Sequence, residues 1–160
     1  MDIFSSCYLF AGLSSHQIDE LARISNETSV ESGDWLFHEG DKAEHLYFLV
    51  DGAVELLTTI DNDVELPITK LRSSGDCFGT GSLVEPFQYS LSARCAEAAN
   101  LLTINRQGLS KTEEEDSDFK RIMMENLAAY YLSRLKETRQ ELKIHFKILF
   151  KAMRFYIRVR

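Results

Sequence analysis

The sequence predicts a mainly β protein with flanking helices: an antiparallel sandwich or barrel of short strands, followed by one long helix. Three observations carry this. Between residues 28 and 104, short runs rich in Val, Leu, Phe and Tyr are interrupted by turn signals roughly every 7–13 residues. Residues 119–151 contain neither Gly nor Pro. Ala128, Leu135, Leu142, Leu149 and Tyr156 recur there at intervals of seven, which is a helical period.

Taken in order, Ser14 and Gln17 stand at capping-box spacing ahead of Ile18, Leu21, Ala22 and Ile24, so a short amphipathic helix opens the fold. The turns that follow are marked at 32–34, 39–41, 51–52, 61–63 and 74–76 by Gly or Asp-Asn-Asp. Eight or so strands are expected between them. The run Leu46, Tyr47, Phe48, Leu49, Val50 is too uniformly apolar for a strand with one wet face and belongs at the centre. Residues 54–58 and 64–66 flank the Asp-Asn-Asp turn as a hairpin. Thr112 and Glu115 form a second capping-box pattern, with acids at 113–118 where a helix N-terminus favours them. The division expected is therefore a β domain over 1–111 and a long helix with a basic tail over 112–160. A helix of roughly 34 residues is about 50 Å long, more than a small sandwich covers. Its stripe, with Ala128, Leu132, Leu135 and Leu142 leading and Arg139 interrupting, predicts a parallel coiled-coil homodimer, the alternative being a helix folded back over its own body.

Composition narrows the function. The 160 residues carry a net charge of −7. Six of the 18 basic side chains and none of the 25 acidic ones fall in residues 143–160, which leaves residues 1–142 at −13. Such a body repels nucleic acid, and only the tail suits an anionic partner. No apolar run reaches the length of a membrane span, and the first ten residues lack the basic flank of a signal peptide. Cys7, Cys77 and Cys95 are odd in number and widely spaced, which fits a reducing cytoplasm. No C-x-x-C, paired histidines at helical spacing, P-loop or nucleophile elbow occurs, so neither an enzyme nor a cofactor is expected. His38 and His45 flank the 39–41 turn and read as solvated turn residues.

The segments SGDWLFHEGDKAEHLYFLVDGAVEL (32–56), GDCFGTGSL (75–83) and SARCAEAANLLTINR (92–106) resemble the cyclic nucleotide-binding domain family, including the sensor halves of Crp/Fnr-type regulators. With the flanking helices, the resemblance covers about residues 4–140. It implies a β jelly roll (double-stranded β-helix) whose single helical turn at 80–83 presents backbone N–H groups to a cyclic phosphate. The family cassette reads F-G-E, a short helix, then R-[ST]-A; its Glu takes the ribose hydroxyl and its Arg the phosphate. Here Phe78 and Gly79 are followed by Thr80, and the Arg position falls on Tyr89 or Ser90. The resemblance thus implies a signalling module without ordinary cAMP or cGMP contacts. The expected ligand contacts are Phe78, Gly79, Thr80, Gly81, Ser82, Leu83, Tyr89, Ser90 and Leu91, with Tyr89 stacking and donating through its hydroxyl. Arg94 and Arg72 are the candidates to replace the missing Arg. Two alternatives stand beside this reading: a filled pocket in a dimeric scaffold, and a regulator remnant or cAMP-binding protein. Regulators of this type follow the long helix with a helix-turn-helix domain, which residues 143–160 are too few to form, so DNA reading is not expected of this chain alone. The tail is expected to continue the helix, with an acidic partner or an anionic membrane surface as other uses.

Overall fold

The computed structural model describes residues 3–62 and 64–158, with side chains through Tyr156. Asp63 of the expected turn, the Arg158 side chain and Arg160 lie outside the described residues. Helices α1 (Ile3–Ser6) and α2 (Ser15–Ile24) precede strands β1 (Ser25–Val30), β2 (Trp35–Phe37), β3 (His45–Asp61), β4 (Val64–Leu71), β5 (Cys77–Phe78) and β6 (Ser92–Asn105). Helices α3 (Arg106–Glu115) and α4 (Ser117–Arg158) complete the fold. The sheet runs β1-β6-β3-β4, all antiparallel, with β2 on β6 and β5 on β3. This is the jelly-roll-like antiparallel architecture, with fewer and longer strands than the eight expected. The Asp51-Gly52 signal is not a turn. It is a kink within β3, where the register against β6 shifts at Asp51 and again at Ala53.

The apolar run in β3 is explained by its two buried faces. Leu46 and Phe48 point to the helices and pack with Phe4, Phe10 and Ile104, whereas Tyr47 and Leu49 point into the barrel with Phe37, Phe78 and Leu101. The β3–β4 hairpin forms as expected.

The start of α2 is set by local chemistry. The Ser14 hydroxyl accepts from the Gln17 N–H while the Ser14 N–H donates to the Gln17 side chain. The second capping box does not form. Thr112 lies inside α3 and donates to the Gly108 carbonyl, so the boundary expected at 111/112 falls within a helix. The long helix is instead started by Asp116, whose Oδ1 accepts from the Phe119 N–H at 3.0 Å. Its Oδ2 accepts from Gln17 Nε2 at 2.7 Å, across 99 residues of sequence. These bonds, the one from Gln17 first, hold the Asp116 carboxyl below its ordinary value. A depressed folded-state value means the stabilisation is present at neutral pH and disappears as pH falls below about 4. Asp116→Asn is therefore expected to lower Tm at pH 7, with the gap to the parent protein closing as thermal melts are run down toward pH 2.

The buried contacts of helix α4 with the body lie in its first turns. Phe119, Met123 and Leu127, spaced four apart, are buried, and the Asn126 amide donates to the carbonyls of Leu9 and Ala11. Beyond Leu127 most side chains are exposed, including Ala128, Leu132, Leu135 and Leu142 of the predicted stripe. The helix continues unbroken to Arg158, through the described part of the basic tail.

Candidate functional site

The cassette is built on a left-handed residue. Gly79 has φ 79° and leads into the single helical turn Thr80–Leu83. A Cβ on Gly81 would run into the Gln88 carbonyl oxygen, so the close approach of the turn to the following loop needs glycine at this position. The loop returns beside the 39–41 turn, where the Tyr89 N–H and carbonyl pair with Asp41 and Gly40.

Between this cassette and α4 lies a cavity of about 350 Å³, large enough for a small organic ligand. Phe37, Phe78 and Tyr89 line its barrel side, and β3 and β4 contribute Leu56, Ile68 and Thr69. Of the residues singled out in the sequence, Phe78, Gly79, Thr80, Gly81, Tyr89, Ser90 and Leu91 lie around it. Ser82 and Leu83 do not. Ser82 is buried and donates to the Gly79 carbonyl at 2.8 Å, and Leu83 belongs to the core under the helices.

Tyr89 sits largely inside the fold. It is 5% exposed, and its ring stacks on Phe37 with centroids 3.7 Å apart. Its hydroxyl donates to the His45 carbonyl at 2.9 Å and accepts from the His45 N–H. The hydroxyl's single donor is spent inside the fold, so the donation expected of Tyr89 is already taken by the His45 carbonyl. Burial pushes its pKa up, which keeps the phenol neutral.

The basic replacements suggested by sequence are also spoken for. Arg94 is bonded to Glu55 at 3.1 Å and Glu65 at 2.9 Å and lies over Trp35, and Arg72 pairs with Glu97. Neither lines the cavity. The charge there comes from α4. Tyr130, Tyr131, Arg134, Leu135 and Thr138 line the cavity from that side, and Arg134 is the one charged residue among the described lining residues. Its guanidinium is paired with Glu137 at 2.6 Å. Leu135, expected in the dimer stripe, therefore also faces the cavity.

Two contacts tie the cassette side to the helix. The Thr80 and Tyr131 hydroxyls are 2.5 Å apart, and Tyr8 stacks on Tyr130 with centroids separated by 4.2 Å. The Cys77 thiol points at the Tyr8 hydroxyl, with Sγ 4.0 Å from it. The Cys7 thiol and burial push the Cys77 pKa well up, so Cys77 remains a protonated, weakly nucleophilic thiol. Sequence reading missed Tyr8, Tyr130, Tyr131, Arg134 and Thr138, because none belongs to the cassette motif. Among the described residues, no cluster of three His, Cys, Asp or Glu side chains suits a metal ion.

Comparison with known proteins agrees with this architecture. Residues 27–116 match the cyclic nucleotide-binding domain, and the chain belongs to that family. It is 32% identical over 130 residues to the potassium channel KAT1 of Oryza sativa subsp. japonica, covering 78% of this chain and 17% of the channel. The chain thus spans about one sixth of that relative's length. Among solved structures, the catabolite activator protein of Thermus thermophilus superposes with a TM-score of 0.72 at 27% identity, over 86% of this chain and 62% of that one. The N-terminal domain of a Streptomyces coelicolor A3(2) transcriptional regulator gives 0.71 at 25%, over 86% and 95%. Proteins of this family that match here are named as regulators, receptors, regulatory subunits and channels.

Proposed function

We propose that this chain is a sensor module whose cavity takes a planar, largely apolar ligand, neutral or singly anionic, and reports its presence through α4. The observation that carries the reading is the shared wall. One cavity is bounded by the cassette and by a helix whose outer stripe is uncovered, and the Thr80–Tyr131 contact joins the two sides. The lining offers aromatic rings at Phe37, Tyr89 and Tyr131 and a single cation at Arg134. A carboxylate on an aromatic ring matches that charge better than a ribose cyclic phosphate does, since no acid meets the ribose and the cassette carries no Arg. Leu132, Leu135 and Leu142 are 55%, 47% and 56% exposed, and a second copy is the simplest cover for them. Ligand occupancy then biases dimer geometry, provided that it favours one setting of α4 over the other.

Thermal melts in the presence of adenosine, 4-hydroxybenzoate and indole-3-carboxylate test the ligand class. A ligand at 100 times its Kd adds about 2.7 kcal/mol of stability, and Arg134→Gln is expected to weaken the two carboxylates more than adenosine. No stabilisation by any of the three would contradict the reading and leave a closed scaffold. Coupling has its own variant. Tyr131→Phe keeps the ring and removes the contact with Thr80, so the stabilising compound should still bind within a few-fold. The change it causes in dimer dissociation, followed by sedimentation equilibrium, should be lost.

A further inference from the structure

The last described turns of α4 carry two distinct faces. At roughly 100° per residue, Leu142, Phe146, Leu149, Met153 and Tyr156 fall within about 80° of arc, the width of a two-stranded seam. A second strip lies on the other side of the helix. Lys143, Lys147, Lys151 and Arg154 fall within another arc of about 80°. Ile144, Ile148 and Phe155 run along its edge, 48%, 59% and 74% exposed. No acidic residue occurs after Glu141. Pairing of two copies through the seam leaves this strip facing outward, so a dimer does not account for it.

We propose that residues 143–156 of α4 lie along the surface of an anionic membrane, with the lysines and Arg154 at the headgroups and Ile144, Ile148 and Phe155 in the acyl boundary. Charge and shape choose this occupant. A nucleic acid would satisfy the basic residues but leave three bulky apolar side chains in water. A bilayer bearing anionic lipid satisfies both strips at once, as interfacial amphipathic helices do. The segment is about 20 Å long. Among the described residues, no helix is long and apolar enough to cross a membrane, so the contact lies in the plane of the surface. Residues 1–142, at net −13, are repelled by the same lipids, which confines attachment to the helix. The inference is independent of the cavity's ligand.

Co-sedimentation of the full chain with vesicles tests it, using phosphatidylcholine alone and with about one-third phosphatidylserine. Binding is expected to the anionic vesicles and to fall as salt is raised from about 0.1 to 0.5 M. Lys147→Gln with Lys151→Gln should weaken it about thirty-fold. Ile148→Ser with Phe155→Ser should also weaken it while leaving the sedimentation-equilibrium mass unchanged, because the seam is untouched. All four positions are exposed, so circular dichroism should show the same fold. Equal binding to neutral vesicles, binding to neither, binding to duplex DNA in preference to vesicles, or indifference to the Ile148 and Phe155 changes would overturn the proposal.

Discussion

Thr80→Glu combined with Ser90→Arg is expected to raise affinity for cAMP by about two to four decades. Each substitution restores one charge-assisted bond of the family cassette, the Glu to the ribose hydroxyl and the Arg to the cyclic phosphate. Such bonds contribute roughly 1.5–3 kcal/mol apiece, and every 1.4 kcal/mol is tenfold. The structure supplies the rest of the seat, namely left-handed Gly79, the close approach at Gly81 and the cavity itself. Removing Thr80 also releases the Tyr131 hydroxyl, a loss of about 1 kcal/mol, which places the outcome toward the lower end of that range. Calorimetric titration of the double variant and both single variants would show the gain. No gain from any of them would mean that the stacked Phe37–Tyr89 pair, not the missing charges, closes the site to nucleotides.

Phe119→Ala is expected to cost about 3–5 kcal/mol of folding stability. Phe119 is fully buried, 6.4 Å between ring centroids from Phe10, and it opens the row completed by Met123 and Leu127. Emptying its place removes the first contact by which α4 grips the N-terminal helices and leaves a hole that neighbouring rings fill only in part. Urea unfolding would measure the loss directly. A change below about 1 kcal/mol would mean that the core under the helices rearranges freely and that α4 is not rigidly seated on the body.

Local signals were legible where local chemistry decides the outcome. The Ser14–Gln17 box formed because both partners lie within one turn. The uniform apolar run at 46–50 announced a central strand, and its residues 46–49 are shared between the two cores. Two other signals misled. Residues 112–116 offer competing helix starts, and the choice fell to Asp116 because Gln17, 99 residues away, bonds to it. The Asp-Gly at 51–52 has turn composition, yet pairing with β6 continues on both sides of it, and the chain bends without ending the strand. The site divides in the same way. The cassette stood out as a contiguous motif with unusual substitutions. The other wall did not, because Tyr131 is brought to Thr80 from 51 residues away by packing of Phe119, Met123 and Leu127. A seven-residue repeat highlights Leu135 as seam and says nothing of Tyr130, Tyr131 and Arg134 on the neighbouring face.

The central claim is that this cavity keeps the family's shape and has exchanged the family's charges. Calorimetric titration of the unmodified protein with cAMP and cGMP tests it most directly. The account predicts no saturable heat below roughly millimolar nucleotide, the level left when two charge-assisted contacts are lost from a micromolar site. Micromolar binding at one site per chain would contradict it, and would mean that Arg134 leaves Glu137 to meet the phosphate.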